Sequence, residues 1–298
     1  MSGAAAALSP AIAIGKFDAL HCGHRALAAA AAGLGAPVLL GFTGMAAELG
    51  WAERPPLVAS SDRARVLEAW GKEFSWRIRL LELPFAEVRV LAPADFLSLL
   101  RHRFSAGTVV VGADFRFGHG RAAGAGDLPA LAAALQMRTV VVPAVIDDGQ
   151  PVSSSRVRAA LAAGDCATAT RLLGRPHRLI GTVQRGDGRG RQLGFPTANC
   201  GELQNQPPAA GVYAAHAWIA GDGPWPAAVN AGHLPTIGGG RAFSIEAHLL
   251  GFSKDCYGQR LELELIDRLR EERTFGSLDE LKARIAVDVA EVGRRLGQ

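Results

Sequence analysis

The sequence predicts an α/β domain built on a parallel sheet, followed by a small antiparallel β-barrel with a closing C-terminal helix. Three observations point there. Between residues 10 and about 145, continuous apolar runs alternate with helix-forming stretches, the pattern of a parallel sheet covered on both faces. After about residue 176 the rhythm changes to strand-like runs separated by Gly- and Pro-rich turns. Near the end, Ser277 followed three residues later by Glu280 is a capping-box signature opening a long helical stretch.

Each element follows in order. The predicted strands of the first half are AIAIG (11–15), PVLLGF (37–42), RIRLLEL (77–83), TVVVG (108–112) and RTVVVPAV (138–145). The helices between them begin with GHRALAAAAAGLG (23–35), nearly all helix formers, and continue with SDRARVLEAW (61–70), PADFLSLLRHRF (93–104) and DLPALAAALQ (127–136). Two short helices, SSSRVRAALAAG (153–164) and CATATRLLG (166–174), end this half. GVYAAHAWIAG (211–221), PWPAAVNAG (224–232), AFSIEAHLLGF (242–252) and QRLELELIDRLR (259–270) read as barrel strands, and LDELKARIAVDVAEVGRRL (278–296) as the final helix. The domains are accordingly placed at 1–174 and 175–298.

Bulk properties narrow the class. The 298 residues are enough for two ordinary domains or one large one, and 49% of them are hydrophobic, as a real core requires. A net charge of +4 suits an anionic small molecule and is too weak to argue for nucleic acid as a partner. The four cysteines form no CxxC pair, so neither a zinc site nor a disulfide framework is expected, and a reducing compartment is the default. No apolar run has the length of a membrane span. The opening MSGAAAALSPA lacks the basic region of a secretory signal. The cytoplasm is the expected location, with a plastid as the alternative. Oligomeric state is not legible.

The chemistry-bearing residues begin where the first strand hands over to the first helix, in GKFDALHCGHRAL (15–27). A helix N-terminus at the carboxyl end of a parallel strand is a natural phosphate site. Gly15 and Gly23 let backbone approach a phosphate, and His21 and His24 can donate to oxygens of a phosphate under attack. A helix cap, or a metal site with Cys22, is the structural alternative. At 153–158, SSSRVR offers hydroxyls from Ser153 and Ser154 and charge from Arg156 and Arg158, either as phosphate ligands or as a plain cap with solvent-facing arginines. In the second half, GRGRQLGFPTAN (188–199) is a glycine-rich basic loop: Gly188 opens room for phosphates, Arg191 supplies charge, and Thr197 and Asn199 after Pro196 offer oxygen ligands to Mg²⁺. A polar hairpin loop is its alternative.

The strand, glycine and helix around HCGH resemble the HxGH signature of the nucleotidyltransferase superfamily, which grips the triphosphate of a nucleotide. Class I aminoacyl-tRNA synthetases carry a similar signature, but 153–158 has no lysine where their KMSKS-like loop would stand. From about residue 10 to 292 the chain resembles the bifunctional riboflavin kinase/FMN adenylyltransferase family. The matching stretches are GKFDALHCGH, VVVGADFRFGHGR, VSSSRVRAAL, LLGRPHRLIGTV, GRQLGFPTAN, GVYAA, IEAHLLGF and LREERTFGSLDELKARI. Lys16, Ala19 and Leu20 depart from the bacterial GNFDGVHxGH pattern, and GFTGMAAELGW (41–51) replaces a histidine-bearing stretch. Both departures look like the plastid FAD synthetases of plants, which lack the kinase domain.

The resemblance implies a Rossmann-like nucleotidyltransferase domain and a riboflavin kinase barrel, with riboflavin, FMN and ATP as substrates, FMN and FAD as products, and Mg²⁺ as cofactor. It implies that Thr197 and Asn199 hold Mg-ATP, that Glu246 is the base taking the ribityl 5′-hydroxyl proton, and that Asn230 lies near ATP. His21 and His24 stabilise the transferring phosphate, with Phe17 and Asp18 in the same nucleotide loop. Phe115 and Phe117 can pack on the isoalloxazine ring, with Asp114 and Arg116 setting polar contacts; core aromatics and a surface ion pair are the alternative. Other outcomes are an enzyme with one working half, or a flavin-binding regulator that turns nothing over.

Overall fold

The computed structural model describes residues 9–186, 188–235 and 241–297, and the chain packs into two compact units. The first comprises residues up to 54 and 61–153, the second 55–60 and 154 onward.

In the first unit the order is β1 (Pro10–Ile14), α1 (Cys22–Ala32), β2 (Ala36–Thr43), α2 (Met45–Leu49), α3 (Arg63–Phe74), β3 (Arg79–Pro84), α4 (Phe85–Val88), α5 (Pro93–Phe104) and β4 (Thr108–Gly112). A short hairpin of β5 (Arg116–Phe117) and β6 (Ala123–Gly124), then α6 (Leu128–Ala133), β7 (Arg138–Val142) and a second small hairpin, β8 (Ile146–Asp147) with β9 (Gln150–Pro151), complete it. The sheet runs β3-β2-β1-β4-β7 with every neighbour parallel. All five predicted strands are therefore present. On one face Ile12, Ile14, Val38, Leu40, Val109 and Val111 pack with Leu97 and Leu100 of α5 and Leu128 of α6. The alternate residues Ala11 and Ala13 are fully buried too, as a sheet covered on both sides requires. Strand order reverses at β1, which pairs with β2 on one side and β4 on the other. That reversal opens a crevice beyond the carboxyl ends of the strands, and the loop from β1 to α1 leaves from it.

The second unit starts with α7 (Ser154–Ala163) and α8 (Cys166–Leu173) and continues into a closed barrel, β10-β11-β14-β13-β12-β15, with all neighbours antiparallel. The strands are β10 (His177–Gln184), β11 (Ala198–Gly201), β12 (Gly211–Ile219), β13 (Asp222–Pro235), β14 (Arg241–Leu249) and β15 (Arg260–Arg270), with a short α9 (Arg189–Gln192) between the first two. Leu179, Val183, Ala215, Val229, Ile245, Ala247, Leu263 and Leu265 fill the interior. β10 and β11 are not among the predicted strands: β10 lies in the stretch LLGRPHRLIGTV, and β11 has four residues.

The first barrel strand begins at His177, whereas the compact unit that contains it takes in the chain from 154. Two bonds tie α7 to the later residues. Leu161 O accepts from Ala209 N at 2.8 Å, and the Arg268 guanidinium donates to Ala163 O at 3.5 Å. Residues 55–60 join the same unit through Asn205, which is 1% exposed; its amide donates to Leu57 O (3.2 Å) and Arg178 O (2.9 Å) and accepts from Ile180 N (3.1 Å).

The closing helix α10 (Leu278–Leu296) begins as predicted, with the Ser277 hydroxyl accepting from Glu280 N at 3.2 Å. The return bond differs: the Glu280 carboxylate accepts from Gly276 N at 3.1 Å, one residue earlier than in a standard capping box. Asp288, buried on this helix, pairs with Arg270 at 2.8 Å and Arg284 at 2.9 Å.

Candidate active sites

The first candidate site is the β1–α1 loop. Phe17 and Leu20 hold positive φ values of 48° and 46° while both are almost fully buried. For bulky residues that is strained backbone, which persists only where packing enforces it and which tends to mark functional loops. The loop delivers His21 as the N-cap of α1. His21 Nδ1 accepts from His24 N at 3.3 Å, and His24 Nδ1 accepts from His21 N at 3.4 Å. The two rings stack, with centroids 3.7 Å apart and planes 10° off parallel. An imidazole nitrogen that accepts carries no proton, so each neutral ring holds its proton on Nε2. The cap thus selects the tautomer whose Nε2–H can donate to a phosphate oxygen. Of the sequence alternatives, the helix cap is present, and capping is what orients the pair.

Gly23 has a specific duty. A Cβ there would lie 3.0 Å from His21 Cε1 and 3.2 Å from Nδ1, so the glycine makes room for the ring as well as for any ligand. Gly15 sits over Phe17, whose ring would be 3.2 Å from an added Cβ, and Phe17 in turn lies 5.0 Å from the His24 ring. Asp18 is half-buried in the same loop.

The loop after β4 resolves its aromatics. Phe117 is 6% exposed and belongs to the core, stacked on Phe115 at 5.5 Å and tilted against Phe96 at 5.8 Å. Phe115 packs against that core and stays partly exposed. The Arg116 guanidinium donates to Arg121 O at 3.3 and 2.8 Å, bracing the hairpin, and Asp114 is exposed. Ser153 ends the first unit, and Ser154, Arg156 and Arg158 lie on α7 in the second. One Arg158 nitrogen donates to Pro55 O (2.8 Å) and Gln206 Oε1 (3.0 Å), so this arginine holds backbone whatever else it does.

The second candidate site is a row across the barrel. Asn199 of β11 and Asn230 of β13 are the direct cross-strand partners of Glu246 on β14. Residues directly opposite in a sheet share a face, so the three polar side chains line one surface. Thr197 Oγ1 lies 3.4 Å from Glu246 Oε2. The approach segment is fixed by His248, whose Nδ1 is 2.8 Å from Pro196 O and whose ring meets Phe195 edge-on at 5.6 Å. Two glycines the sequence reading did not single out press on this row. A Cβ at Gly186 would meet the Asn199 amide at 2.4–2.6 Å, and one at Gly190 would lie 2.5 Å from Phe195 O and 3.2 Å from Thr197 Oγ1. Gly188 has φ 72°, and Arg191 is exposed.

Among the described residues, no group of three or more His, Cys, Asp or Glu side chains can hold a metal. The donors present at the barrel row are the oxygens of Thr197, Asn199 and Glu246. Such a set suits a hard cation that keeps waters and substrate phosphates in its shell, as Mg²⁺ does.

Comparison with known proteins follows this division. The riboflavin kinase family model matches residues 173–296, and the FAD synthetase model matches 5–156. A curated bifunctional riboflavin kinase/FMN adenylyltransferase from Pseudomonas fluorescens is 38% identical over 288 residues, covering 93% of this chain and 90% of that one. FAD synthetase 1, chloroplastic, from Arabidopsis thaliana is 40% identical over 229 residues; the match covers 71% of this chain and 64% of the plant protein. The chain thus spans less than two thirds of the plant relatives' length. A solved structure described as a macrolide-efflux protein from Streptococcus pneumoniae superposes with a TM-score of 0.83 at 28% identity, covering 96% of this chain and 94% of that one. Among the described residues here, no helix is long and apolar enough to cross a membrane.

Proposed function

Because the chain belongs to the bifunctional riboflavin kinase/FMN adenylyltransferase family, we propose that it makes FAD from riboflavin in two ATP-dependent steps. In the first, the riboflavin 5′-hydroxyl attacks the γ-phosphorus of ATP, giving FMN and ADP. Glu246 takes the hydroxyl proton as the new P–O bond forms. Thr197 and Asn199 are assigned to Mg²⁺, Gly188, Arg191 and Pro196 to the ATP-binding loop, and Asn230 to the ATP side of the row. Bound there, Mg²⁺ would neutralise phosphate charge. The observation that supports this step best is the Asn199–Glu246–Asn230 register, which places a carboxylate between two amides beside Thr197.

In the second step, an oxygen of the FMN phosphate attacks the α-phosphorus of ATP and pyrophosphate leaves. His21 and His24 donate from Nε2 to oxygens of the transferring phosphate, in a helix N-terminus already electropositive. Gly15, Phe17, Asp18 and Gly23 shape that loop. Asp114, Phe115 and Arg116 are assigned to the flavin, and Ser153, Ser154, Arg156 and Arg158 to phosphate. The proposed location is the cytoplasm, with a plastid, as in the chloroplastic plant relatives, as the alternative.

Paired variants test the two-site assignment. Glu246→Gln should abolish FMN formation from riboflavin and leave FAD formation from supplied FMN intact. His24→Ala should do the reverse. If both folded variants lose both reactions, the assignment of one reaction to each site is wrong.

A further inference from the structure

Lys16 and Trp51 are two features the proposed steps leave unused. Lys16 stands two residues past the end of β1, at the start of the loop that carries His21. Trp51 follows α2, beyond the end of β2, so both leave the same carboxyl edge of the sheet. Gly50, with φ 64°, ends α2, and Trp51 N bonds back to Ala46 O at 2.8 Å, which sets the ring's position. The indole is 50% exposed, an unusual place for so large an apolar group. The Lys16 ammonium sits over its ring, 4.4 Å from the centroid. A flexible lysine on the surface normally wanders; here an aromatic face holds it by cation–π attraction.

The surrounding charges favour an anion. Desolvation first, and then the like charge of Arg121, lower the Lys16 pKa, while Asp18 acts the other way. The histidine pair in its capped form is neutral, so the loop's donors bring little formal charge to a polyphosphate. Arg25, on the first turn of α1, is committed elsewhere, paired with Glu73 and lying against the Phe74 ring.

We propose that Lys16, seated on Trp51, is a formal cation that binds the nucleotide's leaving pyrophosphate portion in the adenylyl-transfer reaction. The inference rests on the transferase reading above. Trp51 acts as the positioning residue, limiting the ammonium's wandering so that less order is lost on binding.

The test uses the full chain and its Lys16→Met, Lys16→Arg and Trp51→Ala variants. FAD formation from FMN is measured against ATP concentration, inhibition by added pyrophosphate is measured alongside, and riboflavin phosphorylation by the same preparations is the internal control. Loss of a charge-assisted contact predicts that Lys16→Met raises the KM for ATP about tenfold or more and weakens pyrophosphate inhibition in parallel. Lys16→Arg should restore most of the affinity, Trp51→Ala should show a smaller rise in KM, and the kinase control should not move. A Lys16→Met protein within twofold of the parent in both readouts overturns the inference. If the parent itself makes no FAD from FMN, the transferase reading fails separately. Calorimetric titration with Mg-pyrophosphate then still decides the Lys16 question: weaker binding by Lys16→Met supports it, and equal binding overturns it.

Discussion

The histidine pair shows how one local device meets two demands. Each ring caps the helix that presents it, and each cap fixes the proton on the nitrogen that can face a ligand. That arrangement depends on a residue without a side chain between them. Gly23→Ala would place a methyl 3.0 Å from the His21 ring, tighter than ordinary van der Waals contact, so the ring must shift by a few tenths of an ångström within its stack. The expected result is at least a tenfold drop in FAD formation from FMN, with riboflavin phosphorylation unchanged, read by chromatography of the flavins. Equal loss of both activities would instead indicate misfolding, and no loss would show that the stack is dispensable. The HxGH spacing was legible in the sequence because it is local. The reciprocal bonds were not, since they depend on two positive-φ residues, Phe17 and Leu20, that no propensity favours.

At the scale of elements, long apolar runs were the most legible feature: all five parallel strands lie where periodicity put them. β11 was not legible, because four residues that follow Thr197 and include Asn199 look like a loop until β14 pairs with them. The cross-strand row around Glu246 is likewise a product of register, not of sequence proximity. Phe117 illustrates the converse: an aromatic beside a candidate site belongs to the core once α5 supplies Phe96. The attachment of residues 55–60 could not be read at all, since it rests on long-range bonds to their carbonyls from Asn205, Arg158 and Gln206. Asn205→Leu would leave Ile180 N–H and Arg178 C=O without the Asn205 amide. Orphaned buried polar groups cost about 1–3 kcal/mol each, so the melting temperature should drop by several degrees in calorimetry. An unchanged Tm would mean that water or other groups replace the amide.

Across the whole molecule, buried acids couple stability to pH. Burial pushes the Cys200 thiol and the Tyr213 hydroxyl up to about 12 and the Cys166 thiol up to about 11. In the unfolded chain these groups ionise at their ordinary, lower values. The folded protein therefore keeps protons that the unfolded chain releases, and stability is fully present below those ordinary values and lost as pH rises toward the folded ones. The urea midpoint should stay level from about pH 7 to 8 and fall from about pH 9 upward. The fall should be shallower in Cys200→Ala, whatever that variant's stability at neutral pH. A level midpoint to pH 11 in the parent would contradict these shifts.

The central claim is that the chain carries two working sites, one at the histidine pair and one at the Glu246 row, and one experiment addresses it directly. The purified protein is incubated with Mg-ATP and riboflavin in one tube and with Mg-ATP and FMN in another, and the flavins are resolved by chromatography. FAD in both tubes is the predicted result. FMN accumulating in the first tube with no FAD in either would contradict the claim, and would assign activity to the barrel alone.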